Sequence, residues 1–143
     1  HEVVVVSWGQ SDASVARKME RDAVRRLRWV GCRATSDTTS IMNAHAVWFI
    51  GGDVGLLLRR IDEHRGLRQR LVRMVANGGT IGGTSAGAVA LGRNGIEVVN
   101  WNVCVHGRSE SCICEGSALV MQDGYMKTVG KMGVKWTSIP NFL

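Results

Sequence analysis

The sequence is short of proline and of long apolar runs, and each shortage excludes a class of protein. A single proline among 143 residues, with charged residues spread along the chain, argues against a proline-rich or low-complexity protein. The longest aliphatic run is Val3 to Val6, far below the roughly 20 apolar residues that cross a bilayer, so we expect no membrane span. No basic, apolar and small-residue segments follow one another as in an intact signal peptide. The 45% of hydrophobic residues is typical of one globular domain, which we assign to 1–143.

Basic residues outnumber acidic ones, 18 to 12, and two segments hold most of the excess. Residues 17–33 carry seven basic side chains and residues 59–73 carry six, with two acidic side chains in each segment. Because both segments also have apolar residues at helical spacing, the charge is typical of the solvated faces of two amphipathic helices. No recognised nucleic-acid module accompanies it, so we expect no nucleic-acid partner.

Three of the four cysteines fall in a short late segment, as Cys104, Cys112 and Cys114. Cys112 and Cys114 are one residue apart, whereas finger-like zinc sites place at least two residues between paired ligands. His106 would complete a metal set, but buried thiols or a disulfide explain these cysteines better. We therefore expect no metal and no cofactor. The cysteine pairing stays open, as does the compartment, cytoplasmic or secreted after processing.

Strand and helix patterns alternate through the first part of the chain. Strands are predicted at 3–8, 32–39, 46–50 and 80–82, and helices at 15–30 and 56–75, the second one long or broken. Such alternation predicts an α/β fold with a doubly wound parallel sheet and helices on both faces. Sites in such sheets lie beyond the carboxyl ends of the strands, where the glycine-rich turns after 8, 50 and 82 converge.

Beyond Gly92 the pattern changes, so we divide the domain into a core, 1–92, and a divergent tail, 93–143. Residues 96–105 and 117–122 alternate well enough for strands, and frequent glycines predict hairpins or an irregular tail. The tail contains enough large apolar residues to cover a neighbouring chain, so we expect a homo-oligomer. The residues expected at that contact are Val99, Trp101, Val103, Trp136 and Phe142.

The segment 83–87 reads Gly-Thr-Ser-Ala-Gly and fits the G-x-S-x-G nucleophile elbow. In that motif a strand turns so sharply into a helix that the serine is strained and exposed, and its flanking glycines avoid a collision. Ser85 is therefore the candidate nucleophile. The amide of Ala86 at the start of the next helix would stabilise an oxyanion. The turn Gly51–Gly52 would supply a second backbone donor, although a simple strand-to-helix turn explains it equally well.

These residues resemble a known family. Gly-Gly-Thr-Ser-Ala-Gly-Ala at 82–88, with Trp-Phe-Ile-Gly-Gly-Asp at 48–53, looks like the cyanophycinase and peptidase E family of serine peptidases. The resemblance covers about 1–92 and implies a fold of the class I glutamine-amidotransferase type. It also implies a peptide or isopeptide substrate cleaved next to an aspartyl residue, with Gly51, Gly52, Asp53 and Ala86 at the oxyanion and substrate site.

The sequence departs from the family pattern in three places. Val54 stands where members of the cyanophycinase branch have a polar substrate contact, and residues 93–143 do not match the family. The family domain also continues through further strands that carry the base, so relative to it this chain is truncated at Leu143.

A serine hydroxyl needs a base within hydrogen-bond reach, and the family uses a histidine oriented by an acidic residue. His45 and His64 precede the elbow and fit ordinary surface histidines, which leaves His106 as the candidate. The acidic residues after the elbow are Glu97, Glu110, Glu115 and Asp123. The sequence favours none of them, except that Glu97 and Glu110 lie on either side of His106.

Three functions stay open at this stage. The first is a hydrolase related to cyanophycinase that acts through an acyl-enzyme on Ser85. The second is a catalytically inactive descendant that serves as a structural or self-assembling protein, which a divergent tail would suit. The third is a part of a longer enzyme whose base lies outside this chain.

Overall fold

The computed structural model describes residues 2–99, 102–105, 111–122 and 125–136. Its centre is a four-stranded parallel sheet in the order β2-β1-β3-β4. The strands are β1 (Glu2–Val6), β2 (Arg33–Thr35), β3 (Ala46–Phe49) and β4 (Thr80–Gly83). The predicted parallel arrangement of β1, β3 and β4 is confirmed.

The register of the sheet brings its glycine-rich ends together. Val6 pairs with Phe49, and Phe49 pairs with Gly83, so the chain leaves all three strands at the same edge. Val4, Val5 and Val6 are all buried although successive residues of a strand face opposite sides. Both faces of β1 are therefore covered, as the continuous β-branched run predicts.

The helices are α1 (Ala13–Trp29), α2 (Val54–Glu63), α3 (Leu67–Ala76) and α4 (Ala86–Val89), with a 3-10 helix at Thr38–Asn43. The predicted second helix is broken at Gly66, which has φ 79° and separates α2 from α3. Crossovers between parallel strands are right-handed, and the chain passes from β1 to β2 in one direction and from β3 to β4 in the other. Helix α1 therefore covers one face of the sheet, and α2 with α3 the other. No helix among the described residues is long and apolar enough to cross a membrane.

Helix α1 starts at a side-chain cap and carries the basic face that the sequence predicts. Asp12 Oδ1 accepts hydrogen bonds from the amides of Ser14 and Val15 at 2.7 and 3.0 Å, and these bonds lower the pKa of Asp12. No residue of α1 is fully buried, and Trp29 at its end is 87% exposed. The helix contacts β1 and β2, and Arg28 Nε and Nη2 donate to Ala34 O of β2 at 3.1 and 2.8 Å.

The tail forms short strands, not an extension of the parallel sheet. Strands β5 (Val103–Val105), β6 (Ser111–Ile113) and β9 (Val134–Trp136) form one small sheet, and β7 (Ser117–Gln122) pairs with β8 (Tyr125–Gly130) as an antiparallel hairpin. The predicted hairpin and the strand 117–122 are confirmed.

The strand predicted at 96–105 is wrong for its first part, because 96–99 folds back on α4 instead. The amide of Ile96 donates to Ala90 O at 2.6 Å, and that of Val98 donates to Leu91 O at 3.0 Å. The Ile96 side chain is 1% exposed and lies in the main core. Its apolar character reflects this burial and not a place in a strand.

No disulfide links the four cysteines, all of which lie among the described residues. Cys104 and Cys112 are register partners on the parallel strands β5 and β6. Burial, together with the thiols of Cys112 and Cys114, raises the pKa of Cys104 to about 11. Cys104 is therefore a protonated, weakly nucleophilic thiol near neutral pH.

The replacement Leu57→Ala tests the core between α2 and the sheet. Leu57 is 0% exposed, so its truncation should lower the free energy of unfolding by about 2–5 kcal/mol in urea titrations. Leu56→Ala, at a half-buried position on the same helix, is the matched control and should cost clearly less. Equal losses at both positions would contradict this description of the core.

Candidate active site

Ser85 occupies a sharp turn between β4 and α4. Its backbone has φ 53° and ψ −121°, a conformation that side-chain-bearing residues rarely adopt, and its side chain is exposed. The Ser85 hydroxyl does not cap α4, so it is free to face a substrate. The strained, exposed serine predicted from the elbow motif is confirmed.

The glycines on either side of Ser85 are required by close backbone approach. A Cβ on Gly83 would lie 2.4 Å from the carbonyl carbon of Gly87, and one on Gly87 would lie 2.2 Å from Phe49 O. Real Cβ atoms do not come so close, and backbone cannot move aside as a flexible side chain would. The chain can enter and leave the elbow only because both residues lack a side chain.

The turn Gly51–Gly52 lies directly against the elbow. A Cβ on Gly51 would be 3.1 Å from Ser85 Cβ and 3.6 Å from its Oγ. The amide of Thr84 donates to Phe49 O at 3.0 Å, which ties the two strand ends together. The structure therefore brings Gly51 and Ser85 together, as the convergence of strand ends predicts.

One backbone amide of the Gly51–Gly52 turn and one of the elbow are available to a ligand. The hydrogen bonds among the described residues use neither the N–H of Gly52 nor that of Ala86. The amide of Gly87, by contrast, already donates to Thr84 O at 2.9 Å. Helix α4 has only four residues, so individual N–H groups and not a helix dipole would stabilise negative charge here.

Asp53 has a structural role that the sequence analysis missed. It is the N-cap of α2, and its Oδ1 accepts a hydrogen bond from the amide of Leu56 at 2.6 Å. An aspartate between a strand end and an apolar helical run is the sequence signal of such a cap. Val54, the first residue of α2, packs against the main core.

The candidate histidine, His106, and the two histidines set aside as surface residues fall in different places. His45 precedes β3, and its carbonyl pairs with Thr80 at the amino ends of the strands, so it lies at the opposite edge of the sheet from Ser85. His64 stacks on Trp8 with ring centroids 4.5 Å apart, and its Nδ1 is 2.8 Å from Arg60 O. His106 lies outside the described residues.

The convergence of the strand ends predicts Gln10 near the Gly51–Gly52 turn, but the hydrogen bond of its side chain and the contacts of Arg60 were not predicted from the sequence. Gln10 Nε2 donates to Gly51 O at 2.7 Å, and Arg60 Nη1 donates to Trp8 O and Gln10 O at 3.1 and 3.0 Å. No motif marks either residue, because their partners are 41 to 52 positions away in sequence. Among the described residues, no group of three His, Cys, Asp or Glu side chains is placed to hold a metal ion.

Comparison with known families identifies the origin of this arrangement. The family model of peptidase family S51 matches residues 17–104, more than half of the chain, and includes the turn and the elbow. The chain belongs to peptidase family S51. The resemblance inferred from the motifs at 48–53 and 82–88 is thereby confirmed. None of the curated proteins matches the sequence.

Solved structures of two peptidases share the fold. A peptidase from an acI-B1 Actinobacterium superposes with a TM-score of 0.76 at 18% identity, covering 94% of this chain and 76% of that chain. A Listeria monocytogenes EGD-e protein assigned as peptidase E superposes with a TM-score of 0.70 at 14% identity, covering 91% and 86%. At such low identity the likeness supports the α/β fold with its parallel sheet and nothing finer.

The strain at Ser85 predicts an unusual order of stability. In urea titrations the free energy of unfolding of Ser85→Gly should exceed that of Ser85→Ala by about 1 kcal/mol. Glycine relieves a backbone strain of about 1–3 kcal/mol, and its extra loss of chain entropy on folding is smaller than that. Ser40, exposed in the 3-10 helix and without a positive φ, is the matched control. There Ser40→Gly should be less stable than Ser40→Ala, and the same order at both sites would refute the strain.

The cap of α2 predicts that Asp53 tolerates asparagine but not alanine. Asp53→Ala should lower the free energy of unfolding by about 0.5–2 kcal/mol, because the Leu56 amide loses its acceptor. Asp53→Asn keeps a side-chain oxygen at the same place and should stay close to the native stability. Denaturant titration measures both, and an equal loss in the two variants would count against capping.

Proposed function

We propose that this S51 protein is a serine peptidase that hydrolyses a peptide or isopeptide bond next to an aspartyl residue through an acyl-enzyme on Ser85. The observation that carries the proposal is the strained and exposed Ser85 held against Gly51. A non-glycine residue persists in such a conformation only where its surroundings impose it, and such strain clusters at reactive sites. The substrate class rests on the family resemblance.

In the proposed reaction Ser85 Oγ attacks the carbonyl carbon of the scissile bond, and its proton passes to a base. The amides of Ala86 and of the Gly51–Gly52 turn would donate hydrogen bonds to the resulting oxyanion. Collapse of the intermediate breaks the C–N bond, and the amine leaves with the proton from the base. Water then attacks the ester, which releases the carboxylic acid and restores the serine.

His106 is the proposed base. It is the sole histidine that follows the elbow in the sequence, and the resembled family takes its base from that part of the chain. A carboxylate from the same region would orient the imidazole, and Glu110 and Glu97 remain the candidates. Glu97 has φ 64°, so it too occupies a constrained turn.

Self-association through the tail stays part of the proposal. The β7–β8 hairpin exposes Val120, Tyr125 and Val129, with 82% of Tyr125 accessible. These three side chains lie on one face of the hairpin, since Val120 faces Lys127 and alternate residues share a side. Val103 and Trp136 lie on the small sheet beside it, while Trp101 and Phe142 lie outside the described residues. A two-stranded ribbon gains stability from such coverage.

A fluorophosphonate probe tests whether Ser85 is a nucleophile. We expect the native protein to be labelled on the peptide that contains Ser85, and Ser85→Ala to remain unlabelled, because an unactivated serine reacts poorly. Ser40→Ala is the matched control and should be labelled like the native chain. The native protein and Ser40→Ala should cleave an aspartyl dipeptide faster than the alanyl dipeptide with the same leaving residue, as measured by release of the amine, and Ser85→Ala should cleave neither.

The result distinguishes the parts of the proposal. Equal labelling of the native protein and Ser85→Ala, or labelling of neither, would refute the hydrolase and favour an inactive descendant. His106→Gln should slow cleavage by about 10²–10⁴-fold, the contribution of a general base. Retained activity in His106→Gln would reassign the base while leaving Ser85 as the nucleophile.

A further inference from the structure

The loops after β1 and β3 are joined by three hydrogen bonds in succession. The amide of Ile50 donates to Val6 O at 3.0 Å, and that of Asp53 donates to Gly9 O at 2.8 Å. Between these two backbone bonds, Gln10 Nε2 donates to Gly51 O at 2.7 Å. The central link of this ladder is thus supplied by a side chain.

The bond from Gln10 fixes the orientation of one peptide unit. The Gly51 carbonyl and the Gly52 amide belong to the same planar, trans peptide, so their C=O and N–H point in opposite directions. When the carbonyl is held toward Gln10, the Gly52 N–H is held toward the other side of the turn. That N–H makes no hydrogen bond among the described residues.

Gln10 is itself held firmly on the sheet. The backbone amide of Gln10 donates to Ser7 O at 2.9 Å, and its backbone carbonyl accepts from Arg60 Nη1 at 3.0 Å. Arg60 also donates to Trp8 O, so the whole loop after β1 is attached to α2. Because the backbone N–H and C=O of Gln10 are both hydrogen-bonded, its side chain starts from a fixed position and can hold the neighbouring turn accurately.

The two loops approach each other closely at the Gly51–Gly52 peptide. Gly52 has φ 145°, and a Cβ there would lie 2.3 Å from Gly9 O and 2.9 Å from Gln10 Nε2. Glycine permits this approach, but glycine alone would also let the peptide rotate. The Gln10 hydrogen bond removes that freedom.

We infer that Gln10 is a positioning residue, which orients the Gly51–Gly52 peptide so that the Gly52 amide serves as the second oxyanion donor beside Ser85. The inference rests on the proposed function. It identifies the Gly52 N–H as the donor on the turn. It also states that Gln10, a residue of the loop after β1, fixes the direction of this N–H.

The replacement Gln10→Met tests this role, because methionine has nearly the same shape and cannot donate. Gln69→Met, at an exposed position on α3, is the matched control. Measured where circular dichroism shows every variant folded, Gln10→Met should lower kcat for the aspartyl dipeptide about 10–100-fold and change KM less than twofold. An oxyanion donor acts in the transition state, and complete loss of one costs about 10²–10³-fold in kcat.

A second measurement does not depend on activity. The NMR order parameter of the Gly52 N–H should be lower in Gln10→Met than in the native protein and in Gln69→Met, because the peptide loses the bond that fixes its orientation. A structural role alone would raise KM or unfold the site without this separation of kcat from KM.

Each outcome decides the inference. A kcat within twofold of the Gln69→Met value, or an unchanged order parameter at Gly52, would overturn it. If the native protein neither reacts with the fluorophosphonate nor cleaves the dipeptide, the proposed function fails and the oxyanion role fails with it. A lower order parameter at Gly52 in Gln10→Met would in that case still show that Gln10 orients the peptide, separately from the chemistry.

Discussion

The hydrogen bonding between β1 and β3 continues past the ends of both strands, and the candidate site depends on that continuation. Ile50 donates to Val6, the last residue of β1, and Asp53 donates to Gly9 beyond both strands. The loop after β3 is therefore held against the loop after β1 at the edge of the sheet, while the pairing of Phe49 with Gly83 fixes where the turn after β4 begins. The loops after β1 and β3 are distant in sequence, and they meet because the hydrogen bonds that pair the two strands continue between them.

The sheet and the elbow could be predicted because each follows from local sterics. Continuous β-branched residues in β1 fit a strand that is buried on both faces, and this burial is observed. The elbow depends on residues within one pentapeptide, so its sequence already implies the strain at Ser85. Asp53 was interpretable too, since a cap needs only the residues of one helix start, but the family resemblance directed attention to substrate binding instead.

Other features depend on tertiary packing that no local pattern encodes. Ile96 alternates with its neighbours like a strand residue, yet its amide bonds to Ala90 and its side chain enters the core. Gln10 is an unremarkable polar residue in a turn until the fold places Gly51 within 2.7 Å of its amide group. The tail is a different case. Its frequent glycines predict the hairpin, whereas its place beside α4 depends on the tertiary contacts of β5, which the sequence does not show.

In the elbow, the two glycines and Ser85 are under different kinds of selection. The backbone at Gly83 and Gly87 has no room for a Cβ, so the glycines are maintained by folding whether or not the protein is an enzyme. The side chain at position 85 is exposed, so selection on it reflects chemistry. A lineage that abandoned catalysis would therefore keep both glycines and vary at position 85. In sequences of this type the two glycines indicate the shared fold, and the residue at position 85 indicates whether the nucleophile is kept.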